Sequence, residues 1–225
     1  MNAFLNFFVG PFLAWLPIYF YWSVFALAIF VYLRGLRNNA ATPKRLAILA
    51  WIVLAFRIGY AAFQTAIQYY AWSQSRFTQI FLNTPLENQR EIAPVIGKIF
   101  DFFNPKLGYF LFYSWGRFWI TAILACAASL IFYMLLNIFH EYRTRFFEPG
   151  ETELGFLTAL IAGWPHIIVF IGVLLLSLLL ISTLRLALLR NSHTTLGVPM
   201  LFAALSMLLF GNQIVAALHL KVFII

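Results

Sequence analysis

Long apolar runs, separated by short polar segments, dominate the pattern of this chain. A bilayer core needs about 20 apolar residues per crossing helix. Five runs meet that length, and they predict membrane helices at roughly 12–33, 46–72, 109–139, 166–188 and 197–217. The pattern therefore predicts a polytopic helical membrane protein of the all-α class.

A sixth apolar stretch, Leu154 to Gly163, is too short to cross a bilayer alone. In one interpretation, Gly163-Trp164-Pro165 kinks a single long helix. In the other, it is a tight outer turn between a short helix that starts near Pro149 and the span at 166–188. Only the second interpretation puts the basic residues of 185–193 on the cytoplasmic side, so the charges favour it. The prediction is then six membrane segments, one of them short.

The segment from Ser73 to Lys106 is the only long polar one, and it is predicted to lie outside. Apolar residues recur at helical spacing over 92–103, which predicts an amphipathic helix along the outer membrane surface or across the mouth of the bundle. It would serve as a packing lid or, alternatively, as a docking surface. The whole chain, 1–225, is predicted to be a single membrane domain: two spans in 1–72, the loop in 73–107, and a third region in 108–225.

Composition supports the membrane class and excludes others. Of the 225 residues, 63% are hydrophobic and 10% are charged, far from the composition of soluble domains. The net charge of +8 lies in short loops beside apolar runs, which indicates topology and not nucleic-acid binding. The loop after the first span contains Arg34, Arg37, Lys44 and Arg45 without an acid, so it is predicted to be cytoplasmic and the N-terminus outside. A single cysteine, Cys126, and isolated histidines predict no intramolecular disulfide and no metal or cofactor.

Polar side chains inside or beside the spans are candidate binding residues. Arg57, Gln64 and Gln68 follow helical spacing within the second span and form one stripe. A buried arginine is costly and usually faces a bundle interior, so the stripe could line a pathway or substrate groove. Interhelical hydrogen bonding is the alternative, and it is favoured. Arg117, near the outer end of the third span, fits an interfacial belt.

Four glutamates fall in one predicted cytoplasmic turn: Glu141, Glu148, Glu151 and Glu153. Paired carboxylates at a membrane edge can perform acid–base chemistry when one keeps the other protonated. The alternative is a solvated loop next to a helix N-terminus, where acids are favourable. On these residues alone the alternative is favoured.

The segment from Tyr133 to Gly211 resembles the C-terminal half of bacterial type IV prepilin peptidases, which are intramembrane aspartyl proteases. Four stretches carry the resemblance: Gly150-Glu151-Thr152-Glu153, Ala162-Gly163-Trp164-Pro165, Leu196-Gly197-Val198-Pro199 and Leu208-Leu209-Phe210-Gly211. In the family, the corresponding stretches are the catalytic motif that begins a short helix, the Gly-Trp-like turn that ends it, the start of the last helix and the end of the last helix. The resemblance implies a bacterial inner-membrane protein whose region 108–225 is prepilin-peptidase-like.

The departures from the family pattern concern its chemistry. One catalytic aspartate of the family aligns with Glu153, and the other aligns with Tyr32 in Tyr32-Leu33-Arg34. Asp101, the only aspartate, falls in the predicted outside loop. The resemblance therefore implies a catalytically degenerate binding or assembly component. Its groove, lined by Glu151, Glu153 and Tyr32, would hold a pilin-like or other membrane helix.

Two alternatives stay open at this stage. The first is a diverged intramembrane protease in which Glu153 pairs with Glu141 or Glu151 to rebuild a catalytic dyad. The second is a small membrane transporter with Arg57, Gln64 and Gln68 along its path. Many transporters carry internal repeats, and none is evident here, which disfavours the second alternative.

Overall fold

The computed structural model describes residues 12–35, 42–84, 107–142, 147–189 and 195–220. Most of these residues are helical, and none of them lies in a strand. The α-helices in chain order are α1 (Leu13–Gly35), α2 (Thr42–Gln74), α3 (Arg76–Leu82), α4 (Gly108–Ser114), α5 (Ile120–Tyr142), α6 (Glu151–Ala162), α7 (His166–Leu189) and α8 (Gly197–Ala217). A π-helical turn, Trp115–Trp119, joins α4 to α5 without a break. The prediction of an all-α protein is confirmed.

Five of the described helices are long and apolar enough to cross a membrane: Trp15–Gly35, Thr42–Gln74, Gly108–Tyr142, His166–Ala187 and Gly197–Ala217. They match the five predicted spans to within a few residues. The sixth segment, α6, has 12 residues, or about 18 Å at 1.5 Å per residue, and is shorter than a bilayer core. The chain is therefore an integral, multi-pass membrane protein in contact with the lipid bilayer.

The segment predicted as the outside loop is described only in part. The amphipathic helix predicted over 92–103 lies outside the described residues. The described part contains α3, which was not predicted from the sequence. Its side-chain hydrogen bonds run back to the end of α2, for example from Thr78 Oγ1 to the Trp72 carbonyl at 2.7 Å.

The chain divides into two compact units, one of residues 1–56 and 124–224, the other centred on residues 57–123. The first unit holds α1, the first part of α2, most of α5, and α6 to α8. The second holds the rest of α2, together with α3, α4 and the π-helical turn. The prediction of one membrane domain over the whole chain stays a prediction.

Three hydrogen bonds within the first unit give the directions of its last helices. They join Glu151 to Gly197, His166 to Asn212, and Ser177 to Pro199. Because the start of α6 meets the start of α8, and the start of α7 meets the far part of α8, α6 and α8 run in the same direction. Helix α7 runs back between the same two levels.

Gly163-Trp164-Pro165 is therefore a turn between two antiparallel helices, as the charges of the sequence favoured, and not a kink in one helix. The amide of Gly163 donates to the carbonyl of Ala159 at 3.0 Å and closes α6. Gly163 has a φ of 68°, a value that glycine adopts without steric cost. The chain then reverses, and α7 begins at His166.

Helix α6 lies at the centre of the first unit. Except for Glu153 and Ala162, all of its residues are buried, as expected of a helix that is apolar all round. A Cβ at Gly155 would overlap Leu136 of α5 and press on Met200 of α8, so glycine permits a close approach of three helices. The outer faces of the unit expose large apolar side chains, such as Leu176 and Leu179, which suit contact with lipid.

Candidate functional site: a buried carboxylate at three helix ends

Glu151 is placed by a tight turn at the start of α6. Gly150 precedes it with a φ of 96°, in the left-handed region that favours glycine. The amide of Glu151 donates to the carbonyl of Glu148 at 3.1 Å, and the amide of Leu154 donates to that of Gly150 at 2.9 Å. The turn therefore brings the side chain of Glu151 back towards Glu148 and the neighbouring helix ends.

The Glu151 carboxylate has no solvent exposure and accepts four hydrogen bonds. Its Oε2 accepts from the amides of Glu148 at 3.0 Å and Leu196 at 3.2 Å. Its Oε1 accepts from the amide of Gly197 at 2.5 Å and from the hydroxyl of Tyr32 at 3.2 Å. One side chain therefore joins the starts of α6 and α8 to the last turn of α1, and it satisfies amides that helix starts leave without partners.

Tyr32 is 2% exposed, and its hydroxyl faces two carboxylates. It lies 3.2 Å from Glu151 Oε1 and 3.4 Å from Glu148 Oε2. A phenolic hydroxyl has one proton, so it donates to one carboxylate at a time. If Glu151 is protonated, it can donate to the Tyr32 oxygen while Tyr32 donates to Glu148. The three residues then form one continuous hydrogen-bonded chain, which we call the Tyr32 cluster.

Burial raises the pKa of the Glu151 carboxyl above its ordinary value, and the negative charge of Glu148 raises it further. The amides of Glu148, Gly197 and Leu196 act in the opposite direction, because they stabilise the ionised form. The outcome is a raised pKa. A proton is therefore held more tightly by Glu151 in the folded protein than by a glutamate in water.

The other predicted acids do not join this cluster. Glu153 is half-buried and accepts from the hydroxyl of Thr152 at 2.9 Å. Glu141 is exposed in the last turn of α5. No hydrogen bond among the described residues connects either glutamate to Tyr32. The residue that faces Tyr32 is Glu151, although the resemblance aligned Glu153 with the catalytic aspartate. A catalytic role for these glutamates stays a prediction.

Glu148 was noted in the acidic turn but was not selected as a site residue. In the structure it contributes a carboxylate oxygen, a carbonyl and an amide to the cluster. Its spacing from Glu151 gave a usable signal, because the two residues flank the Pro149-Gly150 turn. A tight turn brings such flanking residues together.

The second unit contains the other candidate binding residues. Arg57, Gln64 and Gln68 are half-buried, and Arg117 is exposed in the π-helical turn. The indole of Trp119 donates to the hydroxyl of Thr65 at 3.1 Å. Thr65 is not a member of the predicted stripe, so this bond does not decide between a pathway and interhelical hydrogen bonding. Binding roles for the four candidates stay predictions.

No group of three or more His, Cys, Asp or Glu side chains in the described ranges is arranged to hold a metal ion. Comparison of the chain with protein-family models, with curated proteins and with solved structures found no match. The class is therefore defined by the fold and the site alone. It is an all-α, multi-pass integral membrane protein with a buried carboxylate and a tyrosine at three helix ends.

Proposed function

We propose that this protein is a membrane binding or assembly component, similar in scaffold to bacterial type IV prepilin peptidases but without peptidase activity. One observation carries the proposal: both oxygens of the buried Glu151 carboxylate already accept hydrogen bonds from the protein. An aspartyl protease needs two facing carboxyl groups that share a proton. At the position that aligns with one of the two catalytic aspartates of that family, this chain has Tyr32.

The partner in this proposal is an apolar helix, such as a pilin leader or another membrane segment. Glu148 supports this choice, because it is half-buried, whereas Tyr32 and Glu151 are buried. It is therefore the member of the Tyr32 cluster that a partner can reach. A carboxylate at that place suits a basic residue that flanks an apolar helix. The buried Glu151 then has a positioning role: it keeps α1, α6 and α8 together beneath the binding surface.

The test is a combined cleavage and binding assay with the purified chain in lipid and a prepilin-type peptide. We expect the wild type to bind the peptide without cutting it. Glu148→Ala should weaken binding about tenfold, as expected for loss of one charge-assisted contact. The matched control is Glu141→Ala, an exposed glutamate in the last turn of α5 and outside the cluster, which should bind normally. Binding that is unchanged in Glu148→Ala would contradict the proposed surface.

A diverged protease is the second candidate, and one observation favours it. Two carboxylates, Glu148 and Glu151, contact the same Tyr32 hydroxyl. A proton shared along this cluster could activate water in place of an aspartate pair. Peptide cleavage that depends on pH and is lost in Glu151→Gln would establish this candidate and overturn the first.

We further propose that the Tyr32 cluster lies at the cytoplasmic face of a bacterial inner membrane, with the N-terminus outside. Arg34 and Lys44, at the adjoining ends of α1 and α2, support this orientation. In a Cys126→Ser background, a cysteine at Lys44 should react with an impermeant thiol reagent only after the cytoplasmic side is opened. A cysteine at Trp164, in the turn at the opposite end of α6, should react in intact cells. The reverse pattern would exclude this orientation.

A further inference from the structure

The adjoining ends of α1 and α2 carry exposed basic side chains. Arg34 lies in the last turn of α1, and Lys44 and Arg45 lie in the first turn of α2. All three are exposed, and no salt bridge within the described ranges engages them. The guanidinium of Arg34 instead lies 5.9 Å from the centre of the Phe30 ring. These three residues form what we call the basic end.

The two helices that carry the basic end are antiparallel neighbours. The rings of Phe20 and Phe56 stack with centroids 3.7 Å apart. At the other end of the pair, a Cβ at Gly35 would overlap the side chain of Thr42. The basic residues on the two helices are therefore held at one level, beside this close contact between the helix ends.

The charges of the basic end are unfavourable for α2 itself. A helix N-terminus carries a partial positive charge from its unpaired amides, so it favours anions and disfavours cations. The first turn of α2 contains two cations and no acidic residue. The nearby turn at Gly150 does not compensate for them, because Glu148 faces Tyr32 and forms no ion pair with Lys44 or Arg45 in the described structure. An external anion would relieve this repulsion.

Below the basic end, the same helices expose large apolar side chains. Phe30 is 58% exposed and precedes Arg34 by four residues, so the two share a face of α1. Ile48 and Trp51, which are 58% and 64% exposed, follow Lys44 by four and seven residues on α2. Positive charge at one level and apolar surface one or two turns deeper match the two parts of a phospholipid.

We propose that the basic end binds an anionic phospholipid, with the phosphate at Arg34, Lys44 and Arg45 and the acyl chains along Phe30, Ile48 and Trp51. The argument rests on charge complementarity and on the depth of the apolar surface. Clusters of basic residues next to a membrane helix attract anionic lipids in this way. The inference is independent of the peptide-binding function proposed above.

The test is native mass spectrometry of the detergent-purified chain with phosphatidylglycerol or phosphatidylethanolamine. Each basic residue near an anionic surface should contribute roughly a factor of five to the affinity. The affinity of the double variant Lys44→Gln/Arg45→Gln for phosphatidylglycerol should therefore be about 25-fold lower than that of the wild type. The charge-keeping exchange Lys44→Arg/Arg45→Lys should retain binding. Arg76→Gln, which removes an exposed basic residue from α3, should also retain it.

Equal affinity for the two lipids would overturn the proposal, as would an unchanged preference in Lys44→Gln/Arg45→Gln. Soluble glycerol phosphate serves as a further probe. If it displaces phosphatidylglycerol at equal concentration, the basic end recognises phosphate alone, and the proposed contact with acyl chains is wrong. If glycerol phosphate does not displace phosphatidylglycerol, the result supports binding of the whole phospholipid.

Discussion

Replacing Glu151 with alanine is expected to lower the free energy of unfolding by about 3–5 kcal/mol, because buried groups that lose their partner cost about 1–3 kcal/mol each. The variant leaves the amides of Glu148, Leu196 and Gly197 without their acceptor. For a chain of this size, a loss of about 3–5 kcal/mol corresponds to a fall of about 10 °C in Tm. The measurement is thermal unfolding in detergent, followed by tryptophan fluorescence.

The matched control is Glu153→Ala. This glutamate is two residues further along the same helix, but it is half-buried and bonds only to its neighbour Thr152 among the described residues. A substitution of this kind should change stability by no more than about 0.5 kcal/mol. Equal losses in the two variants would contradict the assignment of Glu151 as the residue that joins the helix ends.

The stability of the wild type should also depend on pH through Glu151. Its pKa is raised in the folded state, so between the ordinary glutamate value, about 4.3, and the raised value the unfolded chain binds fewer protons than the folded protein. The contribution of Glu151 to stability therefore falls as pH rises through this window and does not change on either side of it. Glu151→Gln cannot titrate, so the wild-type Tm minus the variant Tm should decrease with rising pH. An increase would contradict the raised pKa.

The two glutamates also show where sequence reasoning succeeds and where it ends. The five long spans and the turn at Gly163-Trp164-Pro165 could be predicted, because the length of an apolar run and the position of basic residues are local properties. Which of Glu151 and Glu153 is buried at the site could not be predicted from the sequence. Two residues are about 200° apart around a helix, so only the packing of α6 decides which of them is buried.

Tyr32 was predicted as a groove residue, and the structure brings it to Glu151 across 119 positions of sequence. The resemblance supplied that expectation, because neither residue carries a long-range signal of its own. The amides of Leu196 and Gly197 gave no signal at all, since any residue except proline has a backbone donor. A site built partly from backbone atoms depends on the meeting of helix ends, which a linear pattern does not contain.

The largest effect of a single methyl group is expected at Gly197. A Cβ there would overlap the hydroxyl and the ring of Tyr32, and the ring is buried and cannot easily move aside. In Gly197→Ala, either α8 shifts or Tyr32 leaves Glu151. Overpacking costs about 1–3 kcal/mol, and the disturbed hydrogen bonds add about 1–3 kcal/mol. We expect a fall of about 10 °C in Tm.

Gly172→Ala is the control for this variant. Gly172 lies on α7, and a Cβ there would meet nothing within 4 Å. Alanine is favoured over glycine in a helix by about 0.5–1 kcal/mol, so Gly172→Ala should leave Tm unchanged or raise it slightly. A similar fall in both variants would mean that added methyl groups destabilise these helices generally, and not through Tyr32.

A double-mutant cycle shows whether Tyr32 causes the loss. Tyr32→Leu removes both the hydroxyl and the ring that the new methyl group would overlap. If the clash is the cause, Gly197→Ala should cost much less in the Tyr32→Leu background than in the wild type, with a coupling energy of about 1–3 kcal/mol. If Gly197→Ala costs the same in both backgrounds, the two side chains do not meet. The close approach of α1 and α8 at the Tyr32 cluster would then be wrong.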